Sequence, residues 1–217
     1  MSVTFRERMA GPVHVVDRVP WRVPPRGARA GDGLVRLVAD AVDRSTERIG
    51  GVLDLDRLTV TVPGSGAEPE RDGYAAEVTT GVVLGVRRRP LDVVAGFADL
   101  LTRTPTGRRM HYRLLVVDGP HRYVVEGVKT VEGGLRTAWR ETTTLHTVVV
   151  RLTGPQAVPT TGTARWLAAG DLDGEVVLAG VLRVRGLLAQ GASMRGRLLP
   201  FLAGFVRRTA RPRAPLR

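Results

Sequence analysis

Histidine is the residue type in this chain most able to bind a metal. The four histidines are His14, His111, His121 and His146. No two have the one-, three- or four-residue spacing that brings two imidazole rings to one side of a strand or helix. The hairpin expected after Val117 puts His111 opposite Val128 and His121 at its tip, roughly 20 Å apart at about 3.3 Å per residue. The spacing therefore indicates histidines at the surface or at the core edge, and it predicts no metal site.

The sequence also lacks the usual nucleophile and cofactor motifs. It contains no cysteine, which excludes disulfides, thiolate metal sites, iron–sulfur clusters and cysteine nucleophiles. The segment Gly191–Gly196 resembles a nucleophile elbow but is one residue too long, so we interpret Ser193 as a surface or packing serine. Neither Gly31–Gly33 nor Gly64–Gly66 continues to the third glycine of a dinucleotide-binding loop. These patterns predict no bound cofactor and argue against an enzyme.

The chain is strongly basic, with a formal net charge of +12. Lys129 is the one lysine among the 33 basic residues, and this bias towards arginine is typical of a GC-rich genome. The arginines are scattered, except in Arg87–Arg89 and in the tail at 207–217. Nucleic-acid binding requires cations concentrated on one face, so the scatter argues against it. A binder of nucleic acid or anionic membrane through surface arginines stays open as an alternative.

Short β-branched runs bounded by glycine, proline and aspartate dominate the chain and predict strands. In the first strand Val3, Phe5 and Met9 share one face, and Glu7 is the exception on that apolar face. A proline-rich stretch, 20–33, is predicted to be an extended surface connection anchored by Trp21. Further strands are predicted at 59–62, 74–86, 110–117, 122–131, 142–152 and 175–184, with a four-residue loop at 118–121.

Three segments carry apolar residues at helical spacing. Residues 34–50 fit both a helix and a strand, and we favour the strand. Pro90 suits the first turn of a helix, and the spacing after it predicts a helix over 91–101. A second helix is predicted over 187–205.

This order of elements predicts a mainly β protein with one or two helices. We expect a single domain over 1–206, built as an antiparallel barrel or sandwich, with a lipocalin-like barrel as the first choice. The tail at 207–217 has too little apolar surface to bury and is expected to be mobile, with peripheral membrane contact as one use for it. The sequence has no apolar run long enough for a membrane helix and no signal-peptide pattern, so a cytoplasmic location is expected.

Three stretches together resemble a known family. They are Phe5–Gly11, the run from Arg109 through Lys129 to Leu145, and Ala179–Val184. They resemble a bacterial β-rich domain found beside or fused to GMC-type flavin oxidoreductases of the cholesterol-oxidase kind. The resemblance implies a GMC-type oxidoreductase as partner and a sterol or other lipid-like molecule as ligand. The family's flavin site belongs to the neighbouring domain, so no catalytic residue and no cofactor carry over to this chain.

The motif at the centre of this resemblance supplies the candidate site residues. They are Lys129, Trp139, Arg140, Glu141, Thr142, Thr143 and Thr144. One interpretation is a polar cluster at a barrel mouth that recognises a ligand hydroxyl beside an aromatic wall. The other is a structural corner in which threonine hydroxyls satisfy backbone groups and the tryptophan plugs the barrel. The leading hypothesis is a non-catalytic accessory or ligand-binding domain, and the remaining alternative is an enzyme with an unidentified acid–base site.

Overall fold

The structure is a computed structural model that describes residues 2–27, 31–44, 49–63, 73–132, 135–153, 158–186 and 193–196. These ranges form nine strands and three helices. In chain order they are β1 (Val3–Val23), α1 (Gly31–Arg44), β2 (Ile49–Val62), β3 (Tyr74–Leu84), β4 (Leu91–Arg103), β5 (Arg108–Asp118), β6 (His121–Val131), α2 (Leu135–Thr143), β7 (Thr144–Leu152), α3 (Thr163–Ala169), β8 (Leu172–Arg185) and β9 (Arg195–Gly196).

The first eight strands form a closed antiparallel barrel. Each of β2 to β7 pairs with the next strand in the chain, and β1 closes the sheet by pairing with both β2 and β8. The short β9 pairs with the beginning of β1. The expectation of a mainly β antiparallel barrel is therefore confirmed. We name the end with the β3–β4 and β5–β6 turns the upper mouth, and the end where β6 stops and α2 begins the lower mouth.

The barrel buries both faces of several strands. One apolar cluster fills the interior, where Phe5, Met9 and Leu114 belong to it. A second apolar cluster lies outside the barrel, where Leu115 and Leu167 are buried with α1 and α3 over the outer surface of β4 to β8. Strands buried on both faces lose the simple alternation of apolar and polar residues.

The expectation of a strand over 34–50 is wrong. This segment forms α1 up to Arg44, and β2 begins at Ile49. The helix forms because Leu34, Val38 and Ala41 recur at helical spacing and pack together into the outer apolar cluster.

The expectation of a helix over 91–101 is also wrong, because this segment lies in β4. Leu91 and Leu100 face the interior, while Phe97 belongs to the outer cluster, so apolar side chains occur on both faces. An irregularity in the pairing between β4 and β5 shifts the alternation at Val94, whose side chain is half exposed. Because of these two effects, the apolar residues of β4 recur at a spacing that also fits a helix.

The hairpin between β5 and β6 keeps the register expected from the sequence, with His111 opposite Val128. Its turn is shorter than the expected four-residue loop, because Asp118 and His121 also pair. The turn is therefore made by Gly119 and Pro120, and Gly119 has the positive φ of 58° that glycine adopts without strain.

The remaining boundaries differ from the expectations in detail. β1 extends through Val23, so the predicted connection 20–33 begins as strand and ends as helix α1. Thr142 and Thr143 belong to α2, and strand β7 begins only at Thr144. Arg195–Gly196 form a strand where a helix was expected. The rest of that predicted helix, apart from residues 193 and 194, and the tail at 207–217 lie outside the described residues. None of the described helices is both long and apolar enough to span a membrane.

Candidate functional site

Three polar side chains meet inside the barrel and form what we name the inner cluster: Glu7, Tyr112 and Lys129. Lys129 Nζ donates to Glu7 Oε1 at 2.7 Å, and the Tyr112 hydroxyl donates to Glu7 Oε2 at 3.0 Å. Lys129 Nζ also lies 3.5 Å from the Tyr112 hydroxyl and 4.9 Å from the centre of its ring. None of the three is more than 4% exposed. A carboxylate, an ammonium group and a phenol thus share one point in a mainly apolar interior, where the buried Thr147 lies between Leu145 and Val149 on β7.

Strand geometry explains how the inner cluster assembles. On β1, Glu7 alternates with Phe5 and Met9, which both belong to the interior apolar cluster. Lys129 lies two residues before the end of β6 and points inward for the same reason. Tyr112 stands near the start of β5, so the cluster lies in the half of the barrel nearer the lower mouth.

The protonation state of Tyr112 follows from its surroundings. Burial raises the pKa of Tyr112 well above its ordinary value, and the neighbouring charge of Glu7 and the hydrogen bond to it act in the same direction. The phenol therefore keeps its proton at neutral pH. It acts as a hydrogen-bond donor and not as a base.

Four more polar side chains form an outer cluster between the barrel wall and the elements that cover it: Trp21, His111, Arg113 and Glu126. Arg113 and Glu126 are direct cross-strand partners on β5 and β6. Arg113 Nη2 donates to Glu126 Oε1 at 2.5 Å, and His111 Nε2 lies 3.0 Å from the same oxygen. Trp21 Nε1 donates to Glu126 Oε2 at 3.1 Å. One fully buried carboxylate thus accepts hydrogen bonds from three side chains.

The outer cluster also binds the covering elements to the barrel. Arg113 Nη1 donates to the carbonyl of Leu167 in α3 at 3.1 Å. Burial disfavours the charge on Glu126, but the hydrogen bond from His111 and the charge of Arg113 outweigh it and lower the pKa of Glu126 to about 2. The carboxylate is therefore ionised throughout the physiological range.

A partly buried ion pair extends this arrangement. Arg26 Nη2 donates to Asp99 Oδ1 at 2.6 Å, which ties the chain after β1 to the outer face of β4. The guanidinium carbon of Arg26 lies 4.4 Å from the ring centre of Phe97, and that of Arg113 lies 5.2 Å from it. Both cations therefore interact with one aromatic ring, which fixes the covering segment on the barrel.

The upper mouth carries a third polar feature, the arginine rim: Arg87, Arg88, Arg89 and Asp118. Together with Val86 these residues line a cavity of about 710 Å³. Arg87 Nε donates to Asp118 Oδ2 at 2.7 Å, and Arg89 donates to Oδ1 through both Nε and Nη2. The hydrogen bonds from Arg89 and Arg87 lower the pKa of Asp118, so this carboxylate is ionised at neutral pH.

The residues nominated by the sequence do not form one site. Lys129 joins the inner cluster. Thr143 and Thr144 each donate a hydroxyl hydrogen bond to the carbonyl of Arg140, at 3.0 and 2.8 Å. Glu141 Oε2 accepts a hydrogen bond from the backbone amide of Glu132 at 3.0 Å. These polar groups at the α2–β7 junction hydrogen-bond to the backbone near the lower mouth, as the structural-corner interpretation expects of the threonine hydroxyls.

The remaining nominated residues are Trp139, Arg140 and Thr142. Arg140 is exposed on α2, and Thr142 is half-buried at its end. Trp139 lies in α2, and its side chain is outside the described part of the structure.

Sequence reasoning missed most members of the two buried clusters. Glu7 was noticed as the charged residue on an apolar strand face, which is the pattern of a buried, paired carboxylate. Arg113 and Glu126 gave a similar signal, since each interrupts an apolar run. Their pairing followed from the hairpin register, which was predicted correctly. No sequence feature around Tyr112 indicated that its side chain would join a polar cluster.

Comparisons with known proteins do not extend the resemblance. No protein-family model, no curated protein and no solved structure matches this chain. The link to GMC-associated domains therefore rests on the sequence motifs alone.

Proposed function

We propose that this chain is a non-catalytic domain that binds a lipid-like molecule carrying one hydroxyl or carbonyl oxygen, in the service of a GMC-type flavin oxidoreductase. The observation that carries the binding role is the inner cluster, in which three hydrogen-bonding groups converge in an apolar barrel interior. The oxidoreductase partner is supported by the sequence resemblance. A sterol has the required chemistry, because it joins a large apolar body to a single polar oxygen.

The energetics of buried charge support a role beyond stability. Moving Glu7 and Lys129 out of water costs several kcal/mol for each ion, and an apolar pair of the same volume is often as stable or more so. What the ions add is hydrogen-bonding capacity. An ammonium group has three donors, and Lys129 directs one to Glu7 and one towards Tyr112. The third donor suits the oxygen of a ligand.

Entry of a ligand requires the interior to rearrange, because the interior is well packed. A Cβ atom added at Gly127, beside Tyr112, would lie 2.8 Å from the side chain of Leu145. The side chains best able to move are the methionines: Met9 follows Glu7 on the same strand face, and Met110 is the cross-strand partner of Lys129. Methionine is unbranched and adapts readily to new neighbours. An eight-stranded barrel is wide enough to hold one small ligand.

The electrostatics favour binding over acid–base catalysis. The raised pKa of Tyr112 keeps the phenol protonated, and Glu7 is committed to two hydrogen bonds. Neither group is therefore positioned as a free base. Both properties suit recognition of a ligand oxygen, which needs fixed donors and acceptors.

Binding is tested with two ligands that differ only in the polar oxygen, namely cholesterol and cholest-5-ene. The protein is titrated with each, and the bound ligand is quantified after gel filtration. We expect cholesterol to bind more tightly than cholest-5-ene, and Tyr112→Phe to reduce this preference. The control is Tyr123→Phe. Tyr123 is a second buried tyrosine of the interior, and it lies at the upper mouth, next to Arg122 at the start of β6. Equal binding of the two ligands, or no binding of either, contradicts the proposal.

The partnership is tested separately. Cholesterol oxidation by a GMC-type oxidase is followed with and without this protein, at a sterol concentration that limits the rate. We expect the wild-type protein to change the initial rate and the Tyr112→Phe variant to change it less. An unchanged rate, with sterol binding intact, contradicts the partnership but leaves the binding role standing.

A further inference from the structure

We propose that the arginine rim at the upper mouth is a binding site for a phosphate monoester, separate from the barrel interior. The rim lines a cavity of about 710 Å³, which is within the size range of small-molecule sites. Among the residues that the structure describes, its polar lining consists of three arginines and one aspartate. Three positive charges and one negative charge leave a local excess of two positive charges.

The charge excess fits a phosphate monoester. Such a group carries a charge of about −1.5 to −2 at pH 7 and has three strong acceptor oxygens. A carboxylate ligand carries only one negative charge. Arginine is suited to phosphate because its planar group presents two parallel N–H bonds to two oxygens.

Asp118 holds two of the arginines in a fixed arrangement. Its side chain is only 12% exposed, whereas those of Arg87 and Arg89 are 45% and 66% exposed. The aspartate therefore anchors both arginines from below while their outer ends stay in solvent. Arg87 is held through Nε, which leaves its two terminal amino groups available to a ligand. Two long side chains held in place lose less conformational entropy when a ligand binds.

Arg88 supplies the uncommitted charge. It is exposed between the two anchored arginines and has no partner among the residues that the structure describes. It can therefore meet an anion without breaking an existing ion pair. This makes Arg88 the residue whose loss should weaken binding most directly.

The phosphate group can belong to a soluble ester or to a lipid headgroup, and the experiment separates these two sources. Inorganic phosphate is titrated against the protein by calorimetry at low salt, with acetate as the carboxylate comparison. Flotation with phosphatidylcholine vesicles, with and without phosphatidic acid, is measured in parallel. Binding of free phosphate alone indicates a soluble ester, whereas a requirement for phosphatidic acid vesicles indicates a lipid headgroup.

Two matched variants decide whether the rim is responsible. We expect Arg88→Gln to weaken binding by about tenfold or more, the effect of losing one hydrogen-bonded charge contact. Arg103→Gln removes the same charge from an exposed position at the lower mouth and should leave binding unchanged. Equal losses in the two variants would show a general charge effect and overturn the proposal. Binding of neither phosphate nor phosphatidic acid vesicles, or acetate binding as tight as phosphate, would also overturn it.

This site is independent of the proposed sterol role. The double variant Glu7→Gln/Lys129→Met alters the inner cluster only and should bind phosphate as the wild type does. Loss of phosphate binding in Arg88→Gln, with cholesterol binding intact, assigns the two ligands to the two ends of the molecule.

Discussion

The inner and outer clusters each centre on one buried carboxylate, yet they are built in different ways. In the outer cluster Glu126 meets its ion-pair partner Arg113 directly across a hairpin. In the inner cluster Glu7 comes from the other side of the barrel to reach Lys129. The carboxylate of Glu126 also accepts a hydrogen bond from Trp21 of β1, and its partner Arg113 donates one to the carbonyl of Leu167. The inner one contacts no covering element through the hydrogen bonds of the described residues.

This difference predicts a structural role for the outer cluster and agrees with the binding role proposed for the inner cluster. The outer cluster has hydrogen bonds to several elements that must be held on the barrel, so its removal disturbs the fold. The inner cluster consists of three side chains that hydrogen-bond to one another inside the barrel, among residues of the interior apolar cluster. Its removal as a unit leaves an apolar interior, which is a stable alternative. Stability measurements on the two clusters therefore test the assignment.

The largest effect is expected for Glu126→Leu. This change leaves the Arg113 guanidinium buried without a counter-ion, and we expect a loss of about 3–5 kcal/mol in the free energy of unfolding. Urea denaturation measures it. The control is Glu175→Leu, which removes a carboxylate paired with Arg151 in a more exposed position and should cost less than about 1 kcal/mol. Similar losses in the two variants would contradict a structural role for the outer cluster.

The next effect is the acid dependence of stability. The pKa of Glu126 is about 2 in the folded protein, below its ordinary value of 4.5. A lowered folded-state pKa stabilises the protein above the unfolded-state value, and this contribution is lost as the pH falls from about 4.5 to about 2, of the order of 3 kcal/mol. Urea midpoints at stepwise lower pH measure the loss. In Glu126→Gln this part of the pH dependence should vanish, and a variant as acid-sensitive as the wild type would contradict the assignment.

The smallest effect is expected for the double variant Glu7→Gln/Lys129→Met. Both charges leave together, so no ion remains unpaired, and we expect stability within about 1 kcal/mol of the wild type. Urea denaturation provides the value, and Lys129→Met alone, which leaves Glu7 charged without its cation, is the control that should lose stability. Loss of stability in the double variant equal to that of Glu126→Leu would make the inner cluster structural as well.

The sequence predicted the fold class better than the individual elements. Short β-branched runs identified most strands, and the β5–β6 register followed from the turn at Gly119. The errors fell at α1 and β4, where apolar residues occur at spacings that fit both helix and strand. In β4 this arises because both faces are buried, a property of the tertiary structure that one sequence does not reveal.

The site was less predictable for a related reason. Lys129 was nominated from a motif, and Glu7 stood out on an apolar face, but 122 positions separate the two residues along the chain. Only closure of the barrel brings them together. The outer cluster has the opposite character, because Arg113 and Glu126 are neighbours in a predictable hairpin. A local register can reveal a cross-strand pair, whereas a pair across the barrel needs the whole topology.

Closure of the barrel through β1 also affects how the chain folds during synthesis. Among the eight barrel strands, β1 comes first in the chain and one of its two barrel partners, β8, comes last, ending at Arg185. At a synthesis rate of about 5–20 residues per second, one edge of β1 stays unpaired for roughly ten to thirty seconds. During that time Glu7 also lacks Lys129. Such an edge can pair with other chains, so we expect the nascent barrel to be most prone to wrong pairing until β8 docks against β1.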